Sequence, residues 1–194
     1  MRLYTHYAVE TLSNAYLIGP DTGGDAVLID PAMFDVPLLE LVEGMGYYVR
    51  HVVLTHCNEA RLDGLRTLRR VYDRAVYAAH ATVLERPAVQ VADGDVLDIC
   101  CKPMTVIAMP GNGSDSVAYA VGGYVFAGTA LSAGESGEVA TPYARALLLG
   151  GIRDRILSLP DDTVILPCHG PPSTVALEKR TFPIEEMTRP GGAP

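Results

Sequence analysis

Two histidines stand where side-chain chemistry commonly sits. His56 closes the run HVVLTH and His169 follows VILPC, so each lies in a loop just past a strand-like apolar stretch, where working residues concentrate. An imidazole so placed can act as a general base or bind a metal through a ring nitrogen. Each adjoins a cysteine, Cys57 after His56 and Cys168 before His169. A Cys and His set could hold one zinc ion, and Cys168 could act as a nucleophile. Neighbours in an extended segment point to opposite sides, so a pocket-facing His56 implies that Cys57 faces away; the alternative is that both cysteines are small buried fillers. Arg61, Arg66, Arg69, Arg70 and Arg74 crowd a single stretch that also holds Asp63 and Asp73, which reads as a solvated helix face with internal ion pairs rather than an anion patch. His6, His51 and His80 are expected to be structural or exposed.

The elements that must position these groups alternate in type. RLYTHYAV, NAYLIG and DAVLID read as three strands separated by turn signals. Residues 35–45 carry apolar side chains at helical spacing, with Asp35 as cap and Gly46 as stop. YVRHVVLT is a buried strand, followed by a helix over 59–72, the strand AVYAA and a short helical piece after His80. VLDIC, TVIAMP, SVAYAV and YVFAG add four strands, the last two joined by a hairpin at Gly122 and Gly123. A helix over 141–159, broken at Gly150 and Gly151, precedes a final strand TVILP. Two strand-rich halves that each contribute helices point to two sheets flanked by helices.

Composition bounds the function. At about 150 residues per domain, 194 residues make one domain, expected over 1–188 with a flexible Gly/Pro-rich tail over 189–194. With 48% hydrophobic residues a core is affordable in size, and the net charge of −8 makes nucleic acid a poor partner. No apolar run reaches the roughly 18 residues of a membrane span, the opening MRLYTHYAVETL lacks the apolar stretch of a signal peptide, and four cysteines are too few and irregular for a disulfide scaffold. A cytoplasmic protein with reduced thiols is the expectation.

Taken in order, NAYLI, VLIDPA, VVLTH with Gly64 eight residues beyond its histidine, PGNGSDSVAY, VFAGTAL and LPDDTVILPCHGPPST resemble the successive motifs of the metallo-β-lactamase fold superfamily, in particular its small glyoxalase II-like hydrolases. The resemblance spans nearly the whole chain and implies a four-layer αββα sandwich, two mixed sheets flanked by helices, with the site at one edge. It also implies a dinuclear zinc or iron centre on T-H-x-H-x-D-H, two later histidines and a bridging aspartate. Carried over position by position, His56 and His169 remain, but Asn58, Ala60, Arg61, Asn112 and Thr129 stand at the other five positions. One imidazole is left to each metal, short of the three or so protein ligands of a catalytic zinc, so no cofactor is expected unless the site has been remodelled. Asp30 matches a family position that braces the active-site loops, its alternative role being a turn or helix cap. These features imply a pseudoenzyme serving as an interaction module for an unknown protein partner, or binding a small anion on Arg61 with Asn58, Asn112, Thr129 and His169 as hydrogen-bonding walls, unless Arg61 turns aside and pairs with Asp63 or Asp115, the reading that the usual pairing of surface arginines favours. The alternative is a divergent thioester or ester hydrolase with at most a mononuclear metal.

Overall fold

The computed structural model describes residues 1–57, 62–99 and 101–182. Asn58, Ala60, Arg61, Cys100 and the tail over 189–194 lie outside the described residues.

The first half builds one mixed sheet. Strands β1 (Arg2–Ala8), β2 (Ser13–Gly19) and β3 (Gly24–Ile29) form an antiparallel meander. Helix α1 (Val36–Gly44) then leads to β4 (Tyr47–Val53), and α2 (Asp63–Val71) to β5 (Ala75–Ala78). A small hairpin of β6 (Thr82–Val83) and β7 (Arg86–Pro87) precedes the edge strand β8 (Val89–Gln90), giving the order β1-β2-β3-β4-β5-β8 with parallel pairing from β3 outward. Asp35 caps α1 as expected, its carboxylate accepting from Leu38 N at 3.0 Å, and Gly46 turns the chain at φ +67°. After His80 the chain forms the β6–β7 hairpin and not the expected helix. Leu84 and Glu85 both take positive φ, +49° and +59°, the backbone of a tight two-residue hairpin turn that a helix cannot contain.

The second half repeats the layer. Strands β9 (Val96–Leu97), β10 (Met104–Ala108), β11 (Val117–Val121) and β12 (Tyr124–Gly128) run antiparallel, and a hairpin of β13 (Leu131–Ser132) and β14 (Glu135–Ser136) follows. Helix α3 (Pro142–Gly151) leads to β15 (Val164–Pro167), then to β16 (Ser173–Thr174) and α4 (Val175–Thr181), in sheet order β16-β15-β12-β11-β10-β9. The expected break at Gly150 and Gly151 does not occur. The chain passes through them into a π-helical turn, Ile152–Ile156, whose two isoleucines are fully buried; burying each contributes about 1.5–3 kcal/mol and outweighs the roughly 1 kcal/mol cost of a helical glycine.

Period-two alternation sorts the side chains into layers. Tyr16, Ile18, Val27 and Ile29 from the first sheet meet Val106, Tyr119, Phe126 and Leu166 from the second in the central core. Leu17, Leu28 and Val52 point the other way, onto Leu38, Val42, Leu65 and Leu68 of α1 and α2. Ala118, Val125 and Ile165 do the same beneath Leu148, Ile152 and Val175. The result is the four-layer αββα sandwich. Among the described residues no helix is long and apolar enough to cross a membrane.

Candidate functional site

Both sheets end in loops at a common edge, and two backbone bonds fasten those ends together: Val117 N donates to Thr55 O at 2.9 Å and Asn14 N to Cys168 O at 2.8 Å. A cleft of about 660 Å³ opens there, and its walls include His56 past β4, Asn112 past β10, Thr129 past β12 and His169 past β15. The structure thus brings together the four described residues singled out from sequence, drawn from 56 to 169 in the chain.

His56 is held by a relay. Asp30, in the left-handed region at φ +48°, accepts from Thr55 N at 2.8 Å and from Thr55 Oγ1 at 2.7 Å, while Thr55 Oγ1 lies 2.9 Å from His56 Nδ1. The single hydroxyl hydrogen goes to Asp30, so Nδ1 donates to the hydroxyl oxygen and the neutral ring keeps Nε2 as an acceptor. Burial pushes the Asp30 carboxyl up, opposed by His56, the Thr55 hydrogen bonds and His169. His169 is oriented in a comparable way, its Nδ1 donating to Leu12 O at 2.8 Å. The loop beneath it is clamped by Asn14, whose amide donates to Pro167 O and Gly170 O, by Tyr16 OH, which donates to Pro167 O at 2.6 Å, and by Ser132 Oγ, which donates to His169 O. Sequence reasoning missed Asn14, Ser132 and the Thr55 relay; the T-H pair was the one available signal for Thr55.

Asn112 and Thr129, two described positions that the resemblance matches to metal ligands, are bonded to each other. Asn112 Nδ2 donates both hydrogens, to Thr129 Oγ1 at 2.9 Å and Ser116 Oγ at 2.8 Å. What Asn112 and Thr129 still offer beside that bond is a neutral amide oxygen and a neutral hydroxyl, weak ligands for zinc or iron in place of an imidazole and a carboxylate. Among the described residues no group of three or more His, Cys, Asp or Glu side chains is placed to hold a metal. The described donor set does not fit the dinuclear zinc or iron centre.

Cys57 lines the cleft beside His56, contrary to the alternation argument. The strand stops at Val53, so residues 55–57 are not extended in a sheet and successive side chains need not oppose. Its backbone N donates to Asp115 Oδ2 at 2.7 Å, and its half-buried thiol is pushed up to about 11, first by burial and then by Asp115 and Asp30. Peptide-resolved labelling with iodoacetamide at pH 8 should therefore leave Cys57 largely unmodified while exposed Cys101 reacts, with Cys57 labelling rising as pH approaches 11. Rapid labelling of Cys57 at pH 7 would show an activated thiolate instead. Cys168 is buried, as a filler would be.

No protein-family model matches the chain. It is 31% identical over 146 residues, 74% of its length, to the hydroxyacylglutathione hydrolase of Yersinia pestis (strain Pestoides F), and spans about 56% of that relative. Among solved structures, ETHE1 from Myxococcus xanthus superposes with a TM-score of 0.84 at 28% identity, over 94% of this chain and 84% of that one. The BLEG-1 B3 metallo-β-lactamase superposes with a TM-score of 0.82 at 21% identity, over 97% of this chain and 100% of the other, a likeness of fold.

Proposed function

The chain belongs to the metallo-β-lactamase fold superfamily, and from that premise we propose that it is a member without dinuclear-metal hydrolysis, its edge cleft retained to bind a ligand or protein partner. The observation that carries this reading is the Asn112–Thr129 hydrogen bond, which ties two former ligand positions to each other. Without a metal to lower its pKa, water near pH 7 is a very poor nucleophile. Arg61, the centre of the small-anion reading, lies outside the described residues. The described lining carries Asp115, Glu135 and Glu138, whose carboxylates would attract an amine-bearing group. Metal analysis of protein purified without added zinc is expected to give far less than one zinc or iron per chain, and added zinc should leave the melting temperature unchanged. Near-stoichiometric, tightly held metal would overturn the proposal.

One observation favours a second reading, a divergent hydrolase: the Asp30–Thr55 relay leaves His56 Nε2 as an acceptor, as a general base requires. Turnover of a hydroxyacyl thioester of glutathione that is lost in both His56→Ala and His169→Ala would establish it. Turnover surviving either change would remove it.

A further inference from the structure

The first sheet has a second site at its other end. Strands β4 and β5 run parallel, and His56 lies past the end of β4, whereas Arg74 immediately precedes the start of β5. There a cleft of about 490 Å³ is lined by Arg69, Arg74 and Arg86 together with the apolar Val76, Pro87 and Val89.

The arginine-rich stretch divides in the fold. Arg66 pairs with Asp63 at 2.7 Å on the solvated face, as the sequence suggests. Arg69 turns inward from the last turn of α2, where its two terminal nitrogens donate to Val83 O at 2.8 Å and Leu84 O at 3.3 Å. Those bonds fix the guanidinium in place and leave its positive charge uncompensated. Arg74 Nη1 donates to Tyr72 O at 3.0 Å, while its buried Nε has no hydrogen-bond partner. Arg86 arrives from β7, far enough along the chain that no helical pattern groups it with the others. Among the described residues none of the three forms an ion pair with a carboxylate. Asp73, beside Arg74 in sequence, raises the Arg74 guanidinium against the larger lowering effect of burial. Arg69 is held below the ordinary guanidinium range, first by burial and then by Arg74, Arg86 and Arg66, so the cations repel one another.

On a chain of net charge −8, three guanidiniums around one cleft, none ion-paired to a carboxylate among the described residues, are a local feature and not a consequence of composition. A tetrahedral dianion presents several oxygens to forked donors from different directions, which a flat monocarboxylate does not, and the cleft is larger than phosphate alone would fill. We propose that this cleft binds a phosphoryl-bearing small molecule, its phosphate oxygens meeting Arg69, Arg74 and Arg86 and its apolar body lying on Val76, Pro87 and Val89.

Calorimetric titration of the full chain with phenyl phosphate, inorganic phosphate and benzoate tests the site. Saturable binding of one phenyl phosphate per chain is expected, tighter than either inorganic phosphate or benzoate. Arg86→Ala should weaken it roughly tenfold, as loss of a charge-assisted contact does. Arg70→Ala changes the net charge equally but removes an exposed side chain outside the cleft, and should leave affinity within about twofold. His56→Ala should also bind normally, which separates this site from the edge cleft. Arg86→Gln keeps a polar side chain without charge and gives a second reading if the alanine variant unfolds. Equal weakening by Arg70→Ala and Arg86→Ala, benzoate binding as tightly as phenyl phosphate, or no saturable heat at millimolar ligand would each overturn the assignment.

Discussion

Asp30→Ala is expected to destabilise the protein by about 3–5 kcal/mol, read as a lower urea midpoint with an unchanged slope. Three losses add. Thr55 N and Thr55 Oγ1 each lose a hydrogen bond to a carboxylate, and Thr55 is only 1% exposed, so water cannot replace both. Asp30 also sits at φ +48°, which aspartate tolerates through local hydrogen bonding but which costs alanine about 1–2 kcal/mol. Against a typical total of about 5–15 kcal/mol, the combined loss is a large share of the stability. Asp30→Asn separates the contributions, because asparagine accepts the left-handed backbone and retains one oxygen acceptor. A cost of about 1–2 kcal/mol is expected there. Equal destabilisation by both substitutions would mean that the carboxyl group, and not the backbone geometry, holds the Thr55–His56 segment.

What was legible in the chain and what was not divides by range. Asp35 and Gly46 bound α1 through local hydrogen bonding and local φ, so their residue types announce the helix. The convergence of His56 and His169 was legible through the motif order, which fixes the topology that brings the loops after β4 and β15, one from each sheet, to a common cleft. The clamp beneath His169 was not, because Asn14 reaches Pro167 across 153 positions and an asparagine at the start of a strand carries no mark of that partner. The hairpin at Leu84 and Glu85 was hidden for a different reason: neither is a residue that favours positive φ, so the turn is imposed by its surroundings, including the Arg69 bonds to the two carbonyls at its corner. Cys57 was misplaced because alternation applies only while the strand lasts, and no residue between Val53 and His56 signals that it has ended.

Gly64→Ala should prove at least as disruptive, by about 3 kcal/mol or more, and its effect should reach the cleft. Gly64 lies in the first turn of α2, and a Cβ built on it falls well inside contact distance of Pro31 O and within 2.7 Å of Met33 C and 2.9 Å of Met33 Cα. All three are backbone atoms, so no side chain can rotate away, and relief requires the helix or the segment over 31–33 to move. Overpacking of adaptable cores already costs about 1–3 kcal/mol, and here the obstacle is stiffer. Movement is resisted from both sides: Gly64 N donates to Ala32 O at 2.9 Å, while Leu65 and Leu68 of the same helix are fully buried against the first sheet. The displaced segment begins directly after Asp30, so shifting it strains the carboxylate that holds Thr55. The His56 ring resonances in an NMR spectrum should therefore shift in Gly64→Ala, together with a loss in urea midpoint. A stable variant with unchanged His56 resonances would show that α2 can slide off the loop, and that the close approach at Gly64 does not set the geometry of the relay.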